Sequence, residues 1–215
     1  MENIEAAIFD LDGTLLETMH IWHRVPLEYL KKKGITGDLS DVFNEKLRTK
    51  SLEQCAEIFK DEFKIEDSIE DILLEVHDVA KEYYVEEVKI KDNVIDLLEK
   101  FKKNKIKMCI ATANSKDIIK EFLAKSNLES YFEFVYTCSE FQTTKETPVI
   151  FEKSLAKLDS NPANTFVFED SLHAIKSAKS LGLKIVGVYD DSSKDQIQEI
   201  KAVSDIYING FKELL

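Results

Sequence analysis

Two aspartates, Asp10 and Asp12, close the apolar run in "AAIFDLDGTLLET" (residues 6–18). Like charges held this close repel one another, so a cation or a reaction must account for them. More acids follow an apolar run in "TFVFEDS", at Glu169 and Asp170 before Ser171. Thr112 ends the run "IKMCIAT" and is followed by Ala113 and Asn114, and Lys145 precedes Pro148 in "TTKETPVIF". Carboxylates on short turns, with no His or Cys among them, suit a hard cation that takes oxygen ligands, which points to Mg²⁺. Helix N-termini beside Thr112, Ala113 and Asn114 offer N–H groups to a phosphate, and Lys145 adds a positive charge against it. A carboxylate can attack phosphorus, and a second acid two residues on can protonate the leaving oxygen and then deprotonate water.

Each piece has a blander reading. D-x-D-G is often an acidic turn; the calcium-loop alternative fails because later ligand positions hold Leu16 and Met19. Thr112 alone caps a helix, Lys145 alone is a surface lysine, and Glu169 to Ser171 alone is a helix start with acids near the positive dipole end. Their order and their convergence on one rim favour the chemical reading.

That rim requires particular elements. Strand-like runs occur at 4–10, 106–112, 132–137, 165–170, 184–190 and 205–208. Between them lie helical faces formed by Val94, Leu97, Leu98 and Phe101, by Ile118, Ile119, Phe122 and Leu123, and by Leu172, Ile175 and Ala178. Pro148 opens a further helix carrying Phe151, Leu155 and Leu158. Strands apolar on both faces, alternating with helices, predict an α/β fold: a Rossmann-like parallel sheet covered by helices on both faces. Ligands of such sheets bind beyond the carboxyl ends of the strands. Residues 16–88 break the alternation, holding helical patterns such as "VPLEYLKKK" and "SLEQCAEIFKDEF", and a stripe of Ile69, Ile72, Leu73, Val76, Val79, Ala80 and Tyr83. They predict an inserted all-helical subdomain (16–88) within a core of 1–15 and 89–215.

A formal charge of −12 argues against nucleic acid as a partner. No run is long and apolar enough for a membrane span and no export signal is evident, so a cytoplasmic protein is expected. Cys55, Cys109 and Cys138 read as reduced, buried thiols. A monomer acting on a small phosphorylated metabolite is the expectation.

The four motifs in this order resemble the haloacid dehalogenase-like hydrolase superfamily, in its phosphatase and β-phosphoglucomutase-like branch with a small helical cap, over nearly the whole chain. The resemblance implies Asp10 as nucleophile, Asp12 as general acid/base, Thr112 and Lys145 as phosphate-binding catalytic groups, and Mg²⁺ held by Asp10, Asp170 and the main-chain carbonyl of Asp12, with Glu169 as supporting residue or further metal contact. It also implies a cap that shuts over the site and supplies specificity. Arg48 and Lys50, in a segment similar to the mutase substrate loop, are candidates for a distal phosphate. Trp22 stands where the mutase has a cap histidine, flanked by His20 and His23. A phosphomonoesterase is the preferred reading, a phosphomutase the runner-up, and a catalytically silent metal-binding or regulatory protein the alternative of another class. A dehalogenase would have no use for Asp12 or the acidic pair, and a phosphonate hydrolase would need a cap lysine reaching the site. Val149 replaces the family's customary acid after Pro148, and Ala174, after His173, replaces a frequent glycine.

Overall fold

The computed structural model describes residues 1, 3–39, 46–47 and 52–215. The chain divides into two compact units, 1–17 with 89–215, and 18–88.

The larger unit is built on a six-stranded parallel sheet. In chain order its strands are β1 (Ala6–Phe9), β4 (Lys107–Thr112), β5 (Phe134–Thr137), β6 (Thr165–Glu169), β7 (Lys184–Val188) and β8 (Ile206–Ile208). They lie in the spatial order β5-β4-β1-β6-β7-β8. All six expected strands are present, with ends trimmed by a residue or two. The chain fills one side of β1 first and then the other, so strand order reverses at β1, and the crevice at its carboxyl end is where such sheets take ligands.

β1 is buried throughout because a central parallel strand is covered on both faces. Alternation gives the faces different characters. Ala6, Ile8, Cys109, Val167 and Ile185 belong to an aliphatic cluster with Ile150, Phe151 and Leu158 of the helix Val149–Leu158, and with Ala174, Ile175 and Ala178 of the helix Leu172–Lys179. On the other face Phe9 stacks on Phe168 at 4.4 Å between ring centroids and meets Phe101 of the helix Val94–Lys103 at 6.2 Å. The helix faces expected from Val94 to Phe101 and from Ile118 to Leu123 are buried. Ala174 is buried in the aliphatic cluster, so a side chain fits where glycine is frequent. Glu152 supplies an acid to the first turn of the helix behind Pro148, which Val149 does not.

A short antiparallel ribbon, β2 (Leu16–Glu17) with β3 (Lys89–Ile90), adds to the expected strands. Two-residue strands carry no periodicity to detect. The ribbon places Leu16 and Glu17 with the sheet unit.

The helical unit holds α1 (Met19–Lys32), α2 (Leu52–Phe63) and α3 (Ile69–Glu87). Tyr29 stacks on Phe59 at 5.2 Å, among Ile21, Val25, Ile72, Val76 and Ala80, all buried. Ser68 opens α3 by accepting the Asp71 N–H at 3.1 Å. Two details differ from expectation. Helix α1 begins well before "VPLEYLKKK" and carries Pro26 inside it, where the missing N–H forfeits one helical hydrogen bond. Ile69 is 38% exposed, at the first position of α3, whereas Tyr84, off the expected stripe, is fully buried. Among the described residues, no helix is long and apolar enough to cross a membrane. Cys55, Cys109 and Cys138 are buried thiols outside any disulfide.

Candidate active site

Carboxyl ends of neighbouring strands bring the acids together. Asp10 follows β1, whose partner on one side is β6, with Phe9 in register with Phe168. Glu169 ends β6 and Asp170 follows it, so the pairing of these two strands fixes all three carboxylates. Asp10, Glu169 and Asp170 are buried, each with a carboxylate oxygen within 4.8 Å of the others'.

Lys145 arrives from the loop before Pro148 and is 5% exposed. Its ammonium donates to Asp10 Oδ1 and, at 2.7 Å, to Glu169 Oε2. Burial alone would lower its pKa, but Asp10 and Glu169 more than offset that and raise it. Thr14 Oγ1 donates to Asp170 Oδ1 at 3.0 Å. The turn linking Asp12 to Thr14 passes tightly over that carboxylate. Gly13 has φ +83°, and a Cβ there would lie 2.6 Å from Asp170 Oδ2, so the position requires glycine on both counts.

One lysine faces three carboxylates. Glu169 is pushed up to about 7, mainly by burial and then by the Asp10 charge, while Lys145 and the Ser171 N–H pull it down. Asp170 stands well above the usual carboxylate range, through burial and the charges of Glu169, Asp10 and Asp190. A buried oxygen-only cluster with surplus negative charge fits a hard divalent cation.

Asp12 is half-buried, and its side chain is outside the cluster. Asn114 Nδ2 donates to Asp12 Oδ2 at 2.9 Å, and Asn114 Oδ1 accepts the Ser115 N–H at 2.7 Å. The backbone N–H of Asn114 donates to Thr112 Oγ1 at 3.1 Å. Asn114, expected among the phosphate donors, bonds to Asp12 after β1 and to Thr112 in its own loop, and Ala113 is exposed beside it. Thr112 closes β4, next to β1, and is 1% exposed. His173 meets Ser171 Oγ through Nδ1 at 2.8 Å.

The remaining described candidates lie in the helical unit. Trp22 and His23 are half-buried on α1 and His20 is exposed there. Arg48 and Lys50 lie outside the described residues. A cavity of about 420 Å³, lined by Met1, Ile4, Lys100 and Phe101 among others, lies at the opposite, amino ends of the strands, away from the acids.

A family model described as haloacid dehalogenase-like hydrolase matches residues 7–188. A phosphorylated carbohydrates phosphatase from Thermotoga maritima is 29% identical over 190 residues, covering 86% of this chain and 85% of its own. Among solved structures, a HAD hydrolase of family IA, variant 3, from Entamoeba histolytica superposes with a TM-score of 0.82 at 26% identity, covering 99% of this chain and 96% of its own. A beta-phosphoglucomutase from Clostridium difficile superposes with a TM-score of 0.76 at 25% identity, covering 99% and 93%.

Proposed function

Because the chain belongs to the haloacid dehalogenase-like hydrolase family and is a phosphatase of that family, we propose that it hydrolyses a small phosphomonoester, a sugar phosphate or similar metabolite, through an aspartyl phosphate, with Mg²⁺ as cofactor. The observation that carries this reading is the buried Asp10–Glu169–Asp170 cluster with Lys145 fixed against it. The similarity to a phosphorylated carbohydrates phosphatase supports the substrate class.

Asp10 is the nucleophile. Its carboxylate oxygen bonds to phosphorus as the bond from phosphorus to the leaving oxygen breaks, and Lys145 holds that carboxylate in place. Asp12 gives the leaving oxygen its proton. It then takes a proton from water, whose oxygen attacks phosphorus and releases inorganic phosphate and free Asp10. Asn114 holds the Asp12 carboxylate apart from the acidic cluster, as a group that must exchange protons requires. Thr112 and Lys145 bind the phosphoryl oxygens. Asp10, Asp170 and the Asp12 carbonyl would hold Mg²⁺, with Glu169 behind them, and the ion supplies charge stabilisation at the phosphoryl group. We place the enzyme in the cytoplasm as a monomer; three buried thiols outside any disulfide suit a reducing compartment.

Release of phosphate from p-nitrophenyl phosphate with Mg²⁺, and its loss with EDTA, tests the reading; a panel of phosphorylated sugars, nucleotides and small acids then identifies the substrate. Metal-independent activity, or none on any phosphomonoester, refutes it. The fold shared with a beta-phosphoglucomutase favours a phosphomutase as second reading. In that case the phosphoryl group on Asp10 passes to a sugar hydroxyl in preference to water, and isomerised sugar phosphate accumulates.

A further inference from the structure

Lys91 plays no part in the reaction outlined above, yet its side chain is only 16% exposed. It follows β3 directly, and its N–H donates to the Leu15 carbonyl at 2.9 Å. An ammonium has three N–H donors and no acceptor. Here they meet the Gly13 carbonyl, the Tyr189 carbonyl at 3.0 Å and Asp190 Oδ2 at 3.0 Å. Two of the three partners are main-chain oxygens in different loops, which an ion pair alone would not need.

Both loops matter to the acidic cluster. Gly13 packs on the Asp170 carboxylate and its neighbour Thr14 donates to it. The other loop continues β7, next to β6, and Asp190 within it is itself fixed. Its Oδ1 accepts the Ser192 N–H at 3.0 Å and the Ser192 hydroxyl at 2.7 Å. Lys91 therefore joins a peptide packed against Asp170 to a rigid anchor at the neighbouring strand end.

We propose that Lys91 is a positioning residue, clamping the Gly13 turn to the end of β7 so that Asp10, Thr14 and Asp170 keep the spacing required for the cation and the phosphoryl group. This rests on the phosphatase reading. Lys91 touches no carboxylate of the cluster and acts through the turn.

The sign of one effect separates clamping from charge. Removing a positive charge near a cation site would by itself tighten cation binding, whereas loosening the turn weakens it. Supporting residues around metal sites typically contribute about 10–100-fold in affinity or activity. Lys91→Met should therefore lower kcat about tenfold on p-nitrophenyl phosphate with KM within about twofold. The Mg²⁺ concentration that half-saturates the rise in melting temperature should increase about tenfold. Lys91→Arg, which keeps the charge and the donors, should recover most of both. Lys91→Gln, which keeps one donor, should fall between and serves if the methionine variant does not fold. An unchanged or lower Mg²⁺ midpoint with wild-type kcat in the methionine or glutamine variant overturns the clamp. A wild-type protein with neither phosphatase activity nor a Mg²⁺-dependent melting shift overturns the phosphatase reading instead.

Discussion

The molecule builds the same trio twice, one lysine between two carboxylates, once in each unit. In the helical unit Lys33 donates to Asp67 and Glu75, both at 2.7 Å, with side chains 24%, 41% and 46% exposed. In the sheet unit Lys145 lies between Asp10 and Glu169, with side chains 5%, 7% and 2% exposed. The hydrogen bonds are of the same kind; the solvent is not. Water screens the first trio, and such pairs contribute about 0–1 kcal/mol. Burial removes that screening from the second, and a third carboxylate, Asp170, brings more negative charge than one lysine can balance. A fold driven by stability alone would have avoided this arrangement, so the buried trio is where chemistry should be sought.

The largest expected effect tests whether Asp10, inside the buried cluster, and Asp12, outside it, have separate roles. Asp10→Asn should abolish turnover and never acquire phosphate from an activated aryl phosphate. Asp12→Asn should lose about 10²–10⁴-fold in rate while still becoming phosphorylated, because only the proton transfers are impaired. Intact-mass spectra after mixing each variant with the donor decide between them, and a phosphorylated Asp10→Asn protein reverses the roles.

The next break falls on the lysine. Lys145→Met leaves Asp10 and Glu169 buried without a counter-charge, and removing one partner of a buried pair costs about 3–5 kcal/mol. Denaturant unfolding in EDTA should show a loss of that size, and Mg²⁺ should return part of it. A loss under 1 kcal/mol in EDTA would mean that water reaches the cluster.

A titration sharpens the comparison further. Glu169 holds its proton up to about 7 in the folded protein, against 4.5 unfolded. Between those values the folded state binds more protons, so the stabilisation is full below about 4.5 and disappears as pH rises through about 7. Metal-free protein should thus lose on the order of 3 kcal/mol across that window, and saturating Mg²⁺ should flatten the slope. Melting temperatures recorded from pH 4.5 to 8, with and without Mg²⁺, test it; a metal-free stability that rises over the window would reject the assignment.

What could be read from the sequence follows from what repeats in it. The parallel sheet was legible because apolar runs such as Ala6–Phe9 and Thr165–Glu169 are buried on both faces and leave no alternation. The convergence of Asp10, Glu169 and Asp170 on one rim follows from placing both runs in one parallel sheet, whose strands share a carboxyl edge; that the two strands are neighbours does not. Contacts made by single side chains were not legible. No pattern announces that Asn114 turns to Asp12, or that Lys91, one of many lysines, reaches across to Gly13 and Asp190. The ribbon of Leu16–Glu17 with Lys89–Ile90 is too short for a period. In α3 the stripe was right at Ile72, Val76, Val79 and Ala80 and wrong at its ends, where Ile69 is exposed and Tyr84 is buried. Helix ends pack according to their neighbours, which periodicity does not contain.

The smallest expected effect belongs to the exposed trio. Lys33 closes α1, Asp67 lies just before the Ser68 cap of α3 and Glu75 lies within that helix, so the bridge ties two helices of one unit. Its ammonium also lies 5.6 Å from the centroid of the buried Tyr29 ring. Its hydrogen bonds to Asp67 and Glu75 raise the lysine's pKa, but a group so open to solvent gains little stability from that shift. Lys33→Met keeps most of the aliphatic stem against the tyrosine and removes only the charge. The expected loss is below about 1 kcal/mol, and it should shrink further in 0.5 M salt, since solvent screening already operates at this site. Lys145→Met should show no comparable sensitivity to salt. Denaturant unfolding of both variants at low and high ionic strength measures the contrast directly. Equal losses with equal salt dependence would mean that burial does not separate the two trios.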